Sequence, residues 1–346
     1  MGIQDAKITL DNPHNSYFPG QVVNGRIEYI FDSPKKVRGI HIAIKGEANT
    51  FWTETETERS SDGNSDRQVD TPHTATEEYF NVNYYILGSN EIEIPPGTHS
   101  YDFTCALPPS LPSSFEGKFG YVRYTVKVTL DRPWKFDQDT KMAFTVVHPF
   151  DLNSDLECRK PMALQLEKTF GCFCCISAPM SVDVRLPYSG FCAGQVIPIQ
   201  IEVENKSNVQ LQLVKVALRK LITYRATSPK NVTKKDKDTV VQIQQGPVPT
   251  GETRSWTVNL DIPSIPPSNL VSCGIIDLDY DIKVTSSYFK SNKYYNPAGE
   301  MITNGFKILC LSTAGYRPPP RLATSHDLLL LSSNPHHRPS SSHPSI

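Results

Sequence analysis

Hydrophobic and polar residues alternate along much of this chain, in short runs. From Tyr121 to Leu130, Val122, Tyr124, Val126 and Val128 hold one phase, and Arg123, Thr125, Lys127 and Thr129 hold the other. A strand turns successive side chains to opposite faces, so the run reads as a half-buried strand with a basic outer face. Ile8 and Leu10 alternate with Lys7 and Thr9 in the same way, and Ile40, Ile42 and Ile44 give residues 37–45 an apolar face. Between the runs stand turn residues: Tyr17-Phe18-Pro19-Gly20-Gln21, Asp32-Ser33-Pro34 and Pro95-Pro96-Gly97. Long helical periodicity is missing, so the pattern predicts an all-β chain of many short strands.

The same pattern occurs twice. At one constant offset, Ile8 and Leu10 fall on Val182 and Val184, Tyr17 on Phe191, and Gly20-Gln21-Val22 on Gly194-Gln195-Val196. Ile40, Ile42 and Ile44 fall on Val214, Val216 and Leu218. At an offset of 155 to 156 Tyr101 falls on Trp256, and Tyr124-x-Val126-Lys127-Val128-Thr129 on Tyr280-x-Ile282-Lys283-Val284-Thr285. Apolar phase is kept throughout, which predicts one Ig-like β-sandwich built twice. Residues 1–150 form the first sandwich, 151–180 a linker with a cysteine cluster, and 181–311 the second sandwich. Residues 312–346, rich in Ser, Pro and His, are expected to be a disordered tail. Residues 53–78 are acidic, rich in Thr and Ser and nearly free of apolar side chains. They are expected to form a flexible insertion, a phosphorylation target or a plain solvated loop.

Composition adds limits. A chain of 346 residues suits two domains, and a formal charge of −1 gives no reason to expect nucleic-acid binding. Nothing approaches a bilayer-spanning apolar run, and residues 1–6 lack the charged and apolar regions of a signal peptide. Gly2 is not followed by Ser or Thr at position 6, which is Ala6, so the myristoylation motif fails. Four of the eight cysteines crowd between Cys172 and Cys192. A reduced, cytosolic setting is the expectation. The glycosylation sequons at Asn205 and Asn231 then carry no meaning.

Candidate chemistry is sparse. The nucleophile elbow, the P-loop, His-Glu-x-x-His and the EF-hand loop are all absent. No catalytic residue, metal site or cofactor is expected. Cys172, Cys174 and Cys175 are candidates for S-acylation; zinc binding, at spacings that do not match the usual pairs, or plain reduced thiols are the alternatives. Lys7, Arg123 and Lys127 are candidates for holding a phosphorylated or acidic peptide through charge-assisted hydrogen bonds. In the second copy the matching outer face carries Asp277, Asp279 and Asp281. That acidic stripe spreads over ~13 Å, too far for one Ca²⁺ ion without other ligands, and suits a basic partner or a solvated face.

Three blocks carry a resemblance: Leu111-Pro112-x-Ser114-Phe115-Glu116-Gly117, Tyr121-Val122-Arg123-Tyr124-x-Val126-Lys127-Val128, and Leu130-Asp131-Arg132-Pro133-Trp134. Together with Lys168-Thr169-Phe170, Cys172 to Cys175 and Phe191-x-x-Gly194-Gln195, they make the chain similar to the α-arrestins, the arrestin domain-containing proteins, over residues 5–300. The resemblance implies two tandem arrestin sandwiches in a cytosolic adaptor without catalysis. Such an adaptor would link membrane cargo to endocytic sorting and ubiquitination, peripherally at the plasma membrane and endosomes. Its partners would be cytoplasmic tails of membrane proteins and HECT-type ubiquitin ligases. Relatives sense phosphate with lysines of the first strand, a place held here by Lys7. A structural subunit of a retromer-like or membrane-coat complex is the alternative. Two departures stand out. Pro-Pro-x-Tyr, which binds the WW domains of such ligases, is absent, and Pro318-Pro319-Pro320-Arg321 stands in the tail. The closing strand of the second sandwich is atypical, and is either supplied by Phe306 to Leu311 or missing, which would leave an open sheet edge.

Overall fold

A computed structural model describes residues 3–59, 66–88, 90–133, 136–152, 156–172, 175–289, 298–302 and 306–311. The expected tail, 312–346, lies outside the described residues. The first half contains β1 (Ile3–Leu10), β2 (Ser16–Tyr17), β3 (Val22–Phe31), β4 (Lys35–Val37), β5 (Gly39–Arg59), β6 (Asp66–Leu87), β7 (Ile92–Ile94), β8 (Gly97–Ala106), β9 (Phe115–Gly117), β10 (Gly120–Asp131) and β11 (Gln138–Val146). The second half contains β12 (Met162–Lys168), β13 (Gly171–Cys172), β14 (Cys175–Ile176), β15 (Met180–Leu186), β16 (Gly190–Cys192), β17 (Val196–Asn205), β18 (Leu211–Ala226), β19 (Val232–Gln245), β20 (Thr253–Asp261), β21 (Ile276–Phe289), β22 (Ala298–Ile302) and β23 (Phe306–Leu311).

In the first sandwich the sheet β1-β3-β8 packs on the sheet β2-β11-β10-β5-β6, to which β9 is added beside β10. In the second, β12-β15-β17-β20 packs on β16-β23-β21-β18-β19, with β22 beside β21. The alternation places the cores. Ile27, Ile42, Val122, Val126 and Val128 are fully buried in one copy, and Val216, Ile282 and Val284 in the other. Each such side chain contributes roughly 1.5–3 kcal/mol of burial free energy.

The repeat holds at the level of individual hydrogen bonds. Gly20 and Gly194 both have left-handed backbone, φ 81° and 82°, which favours glycine. The following glutamines, Gln21 and Gln195, accept the amide N–H of Phe18 and Cys192 on their Oε1, at 2.8 and 2.7 Å. Tyr124 donates its hydroxyl to the Pro112 carbonyl at 2.6 Å, and Tyr280 donates to the Pro266 carbonyl at 2.8 Å. Register agrees as well: Ile27 sits opposite Tyr101, as Ile201 sits opposite Trp256.

Two expectations about organisation are corrected, and a third, left open between two outcomes, is decided. Within residues 53–78 the described part is paired strand, not flexible insertion: β5 and β6 run together from Thr53 opposite Pro72 to Arg59 opposite Asp66. Thr alternates with Glu there, and β-branched Thr suits a pleated surface even where little is buried. The arm is also anchored from outside. At its root Trp52 and His73 are buried and stacked 5.6 Å apart, and Glu54 and Glu56 pair with Lys234 and Lys230 of the second sandwich at 3.7 and 3.6 Å. Secondly, residues 162–168 of the expected linker are a strand, β12, which extends the smaller sheet of the second sandwich through β15. Its alternating Met162, Leu164 and Leu166 give it a face that packs on the core. Of the two alternatives for the closing strand, the first holds: Phe306 to Leu311 supply it. β23 pairs parallel with β16 and antiparallel with β21, as β11 pairs with β2 and β10, so the sheet edge is covered.

The two sandwiches meet through their long hairpins. Thr74 of β6 exchanges backbone hydrogen bonds with Thr227 and Ser228, in the turn between β18 and β19, at 2.9–3.0 Å. Thr50 donates its hydroxyl to the Arg225 carbonyl at 2.7 Å, and the Gly274 amide donates to both Glu77 carboxylate oxygens at 3.2 and 3.0 Å. From the other side, the turn after β9 brings Phe119 edge-on to Tyr224 at 5.6 Å. The buried phenol of Tyr224 ends against Gly117, where an added Cβ would lie 2.1 Å from its oxygen. Thus the Phe115-Glu116-Gly117 block is where the first sandwich docks on the second.

Asn205 explains one sequence feature. It is fully buried at the end of β17, and its side-chain amide donates to the carbonyls of Val209, Val248 and Pro249 at 2.9–3.1 Å. Its sequon is therefore inaccessible in the folded chain.

Candidate binding faces

The outer face of the first large sheet carries Arg123 and Lys127, as the alternation predicts. Register shows what else is there. β5 lies on one side of β10 and places Glu47 opposite Arg123, while β11 lies on the other and places Lys141 opposite Lys127. Arg123 Nε and Nη2 form a fork on the Glu116 carboxylate at 2.6 and 2.8 Å, and the guanidinium stacks 3.9 Å from the Tyr121 ring centre. Lys127 Nζ is 2.9 Å from Asp139, whose carboxyl is held below its usual range by that contact first and by Thr129 second. Lys45 is 2.7 Å from Glu47 and 3.2 Å from Glu78. The basic face is a mixed grid in which Arg123, Lys127 and Lys45 each have a carboxylate.

Lys7 is not part of it. It projects outward from β1, in the smaller sheet, whose inward residues Ile8 and Leu10 share one core with Val122 and Val126. The two sheets turn their outer faces to opposite sides, so the sandwich separates Lys7 from Arg123 and Lys127. A single strand's alternation predicts which residues face out. It says nothing of which sheet, or of the neighbours' charges.

The expected acidic stripe on β21 is likewise matched from across the sheet. β18 places Arg219 opposite Asp281, where Nε donates to the carboxylate at 2.8 Å and both side chains are largely buried. Arg225 stands 4.0 Å from Asp277. Further along the same sheet, four basic side chains surround a trough of about 490 Å³: Lys215 and Arg219 from β18, Lys237 from β19 and Lys283 from β21. Sequence reasoning singled out none of the four as a site, because they come from three different strands and only the register brings those strands together.

Cys172 and Cys175 are register partners in the backbone of the β13–β14 hairpin, and Cys174 lies outside the described residues. Among the described residues no group of three His, Cys, Asp or Glu is placed to hold a metal ion. Burial pushes the Cys192 and Cys273 thiols up, which disfavours a reactive thiolate at either. None of the described helices is long and apolar enough to cross a membrane.

Comparison with known proteins covers both halves. The model for the arrestin (or S-antigen) N-terminal domain matches residues 6–153, and that for the arrestin (or S-antigen) C-terminal domain matches residues 177–297. Arrestin domain-containing protein 17 of Caenorhabditis elegans is 33% identical over 292 residues, 80% of this chain and 66% of its own length. Arrestin domain-containing protein 4 of Mus musculus is 31% identical over 281 residues, 79% of this chain and 65% of its own. Arrestin domain-containing protein 1 of Rattus norvegicus is 25% identical over 285 residues, 82% and 61% respectively. The chain thus spans a little under two thirds of the length of these relatives.

Proposed function

The chain belongs to the α-arrestins, the arrestin domain-containing family, and from that premise we propose that it is a non-catalytic adaptor that links membrane cargo to endocytic sorting and ubiquitination machinery. The observation that carries the reading is the seam. Reciprocal hairpins, the Thr74–Ser228 backbone bridge and the Glu77–Gly274 contact join two sandwiches whose large sheets both keep an open outer face. Such a body can hold one partner on each face at a fixed spacing, which is what an adaptor requires. Cargo would enter as cytoplasmic tails of membrane proteins, with the chain in the cytoplasm and peripherally at the plasma membrane and endosomes. A HECT-type ligase would have to be engaged through a surface other than Pro-Pro-x-Tyr, which this sequence lacks. S-acylation at Cys172, Cys174 or Cys175 would add membrane residence.

The test is affinity capture of the full chain from cells, with mass spectrometry before and after a stimulus that triggers cargo uptake. Membrane proteins and a ubiquitin ligase recovered below stoichiometry, and changing with the stimulus, are the expected result. Recovery of a fixed, stoichiometric coat complex would replace the adaptor reading with that of a structural subunit.

A further inference from the structure

The trough on the second sandwich gathers four basic side chains from three neighbouring strands. Its floor is Ala217, which points outward yet is only 5% exposed, because longer neighbours stand around it. Lys283 lies directly opposite Ala217 on β21, and Lys215 and Arg219 flank it on β18. Lys237 closes the far end from β19, and three hydroxyls and two side-chain amides line the rest. Arg219 is held by Asp281. Ion pairs join none of Lys215, Lys237 and Lys283 to another side chain among the described residues. Three cations around a concave, hydroxyl-rich floor therefore lack counter-charge, whereas Arg123, Lys127 and Lys45 of the first face have theirs.

The shape selects among anions. The lining runs from Leu213 to Arg219 along β18, six residue steps or ~20 Å, with walls from the two neighbouring strands. That is the footprint of an extended peptide of about six residues. A compact headgroup would leave half of it empty. The cations run from Lys215, past Lys283 opposite Ala217, to Lys237 opposite Leu221, so a ligand with one anionic side chain satisfies only part of the row. We propose that this trough binds an extended polypeptide segment bearing two or more anionic side chains, carboxylate or phosphate, on the second sandwich rather than on the Lys7 or Arg123–Lys127 faces. This deepens the adaptor reading by giving it a site and a ligand chemistry.

Purified full chain is titrated, by fluorescence anisotropy, into two labelled seven-residue peptides, one with three glutamates and one with two phosphoserines. Wild type is expected to bind at least one of them in a salt-sensitive manner. Lys215→Gln with Lys283→Gln should weaken that binding at least tenfold. Ala217→Leu, which fills the floor without changing charge, should weaken it too, and Arg123→Gln with Lys127→Gln should leave it unchanged. Melting curves that match wild type establish that the variants are folded, and if the double lysine variant melts early the Ala217 variant decides alone. Preference between the peptides separates a carboxylate from a phosphate ligand, and either preference upholds the site. The proposal is overturned if neither peptide binds wild type, or if the trough variants bind as wild type does. It is also overturned if only vesicles containing phosphatidylinositol bisphosphate bind, since the site would then be a headgroup site. These measurements are independent of what cellular capture recovers, so the adaptor reading and the trough can fail separately.

Discussion

Gly117 offers the sharpest test of how the two sandwiches dock. A Cβ at this position would lie 2.1 Å from the Tyr224 phenol oxygen and 2.7 and 2.8 Å from two carbons of the Phe115 ring. An unstrained carbon–oxygen contact is more than an ångström longer, and neither ring can swing away, because Phe115 and Tyr224 are both buried. Gly117→Ala should therefore cost about 1–3 kcal/mol as overpacking, a fall in melting temperature on the order of 2–10 °C. The phenol itself contributes little. Burial pushes Tyr224 up to about 12, and the nearby amides of Lys118 and Phe119 do not reach hydrogen-bonding geometry with its oxygen. Tyr224→Phe should then change stability by less than about 1 kcal/mol. Combining the two removes the 2.1 Å collision and leaves the milder one with Phe115. The double variant should recover ~1–2 kcal/mol relative to the sum of the single changes, read from urea denaturation of the four proteins. Additive behaviour, or a Gly117→Ala protein as stable as wild type, would refute the argument that this glycine is required for docking.

Other outcomes can be stated more briefly. Asn205→Ala removes the amide donors to the Val209, Val248 and Pro249 carbonyls, each of which keeps one other donor, and the Oδ1 that accepts from Ser207; it should cost ~1–3 kcal/mol by urea denaturation, and an unchanged stability would mean that water replaces the amide. Asp11 accepts the Tyr17 hydroxyl at 2.5 Å, and this contact holds its carboxyl below 3.8. A depressed carboxylate stabilises above 3.8 and loses that contribution as pH falls through its folded value, so Asp11→Asn should be less stable than wild type at pH 5 and converge with it in stronger acid. Tyr17 is pushed up to about 12, first by burial and then by Asp11, so its contribution is full below pH 10 and drains between there and 12. Ending the chain at Thr303 removes β23, and hydrogen exchange at residues 190–192 and 280–282 should accelerate; unchanged protection would show that β23 does not close the sheet.

Much of the fold is legible in the sequence because alternation and turn chemistry are local. Val122 to Val128 state their own burial, and Gly20-Gln21 and Gly194-Gln195 state their own turn. Tyr124 and Tyr280 align because the same hydroxyl-to-prolyl-carbonyl bond recurs in each copy. The acidic arm is illegible for the opposite reason. Its pairing rests on Thr–Glu alternation of low hydrophobicity and on Lys230 and Lys234, which are remote in sequence. The binding face suffers in the same way. Arg123 reads as free until Glu116 and Glu47 are placed beside it, and Asp281 reads as free until Arg219 is. Charge on a sheet is a property of the register, and single-strand reasoning returns only one column of it.

The position of β23 sets an order of assembly. The first sandwich has all its strands once residue 146 has been made, whereas the second waits for Leu311. During synthesis the ribosome therefore delivers a complete first half while the second still has β16 and β21 without the strand that joins them. Over that interval the nascent chain exposes two strand edges of the kind chaperones and stray β-strands recognise. A pause in translation upstream of β23 would lengthen this exposure, and a faster passage would shorten it. Synonymous codons that alter decoding speed between residues 290 and 311 should accordingly change the soluble yield of a protein whose sequence they leave untouched.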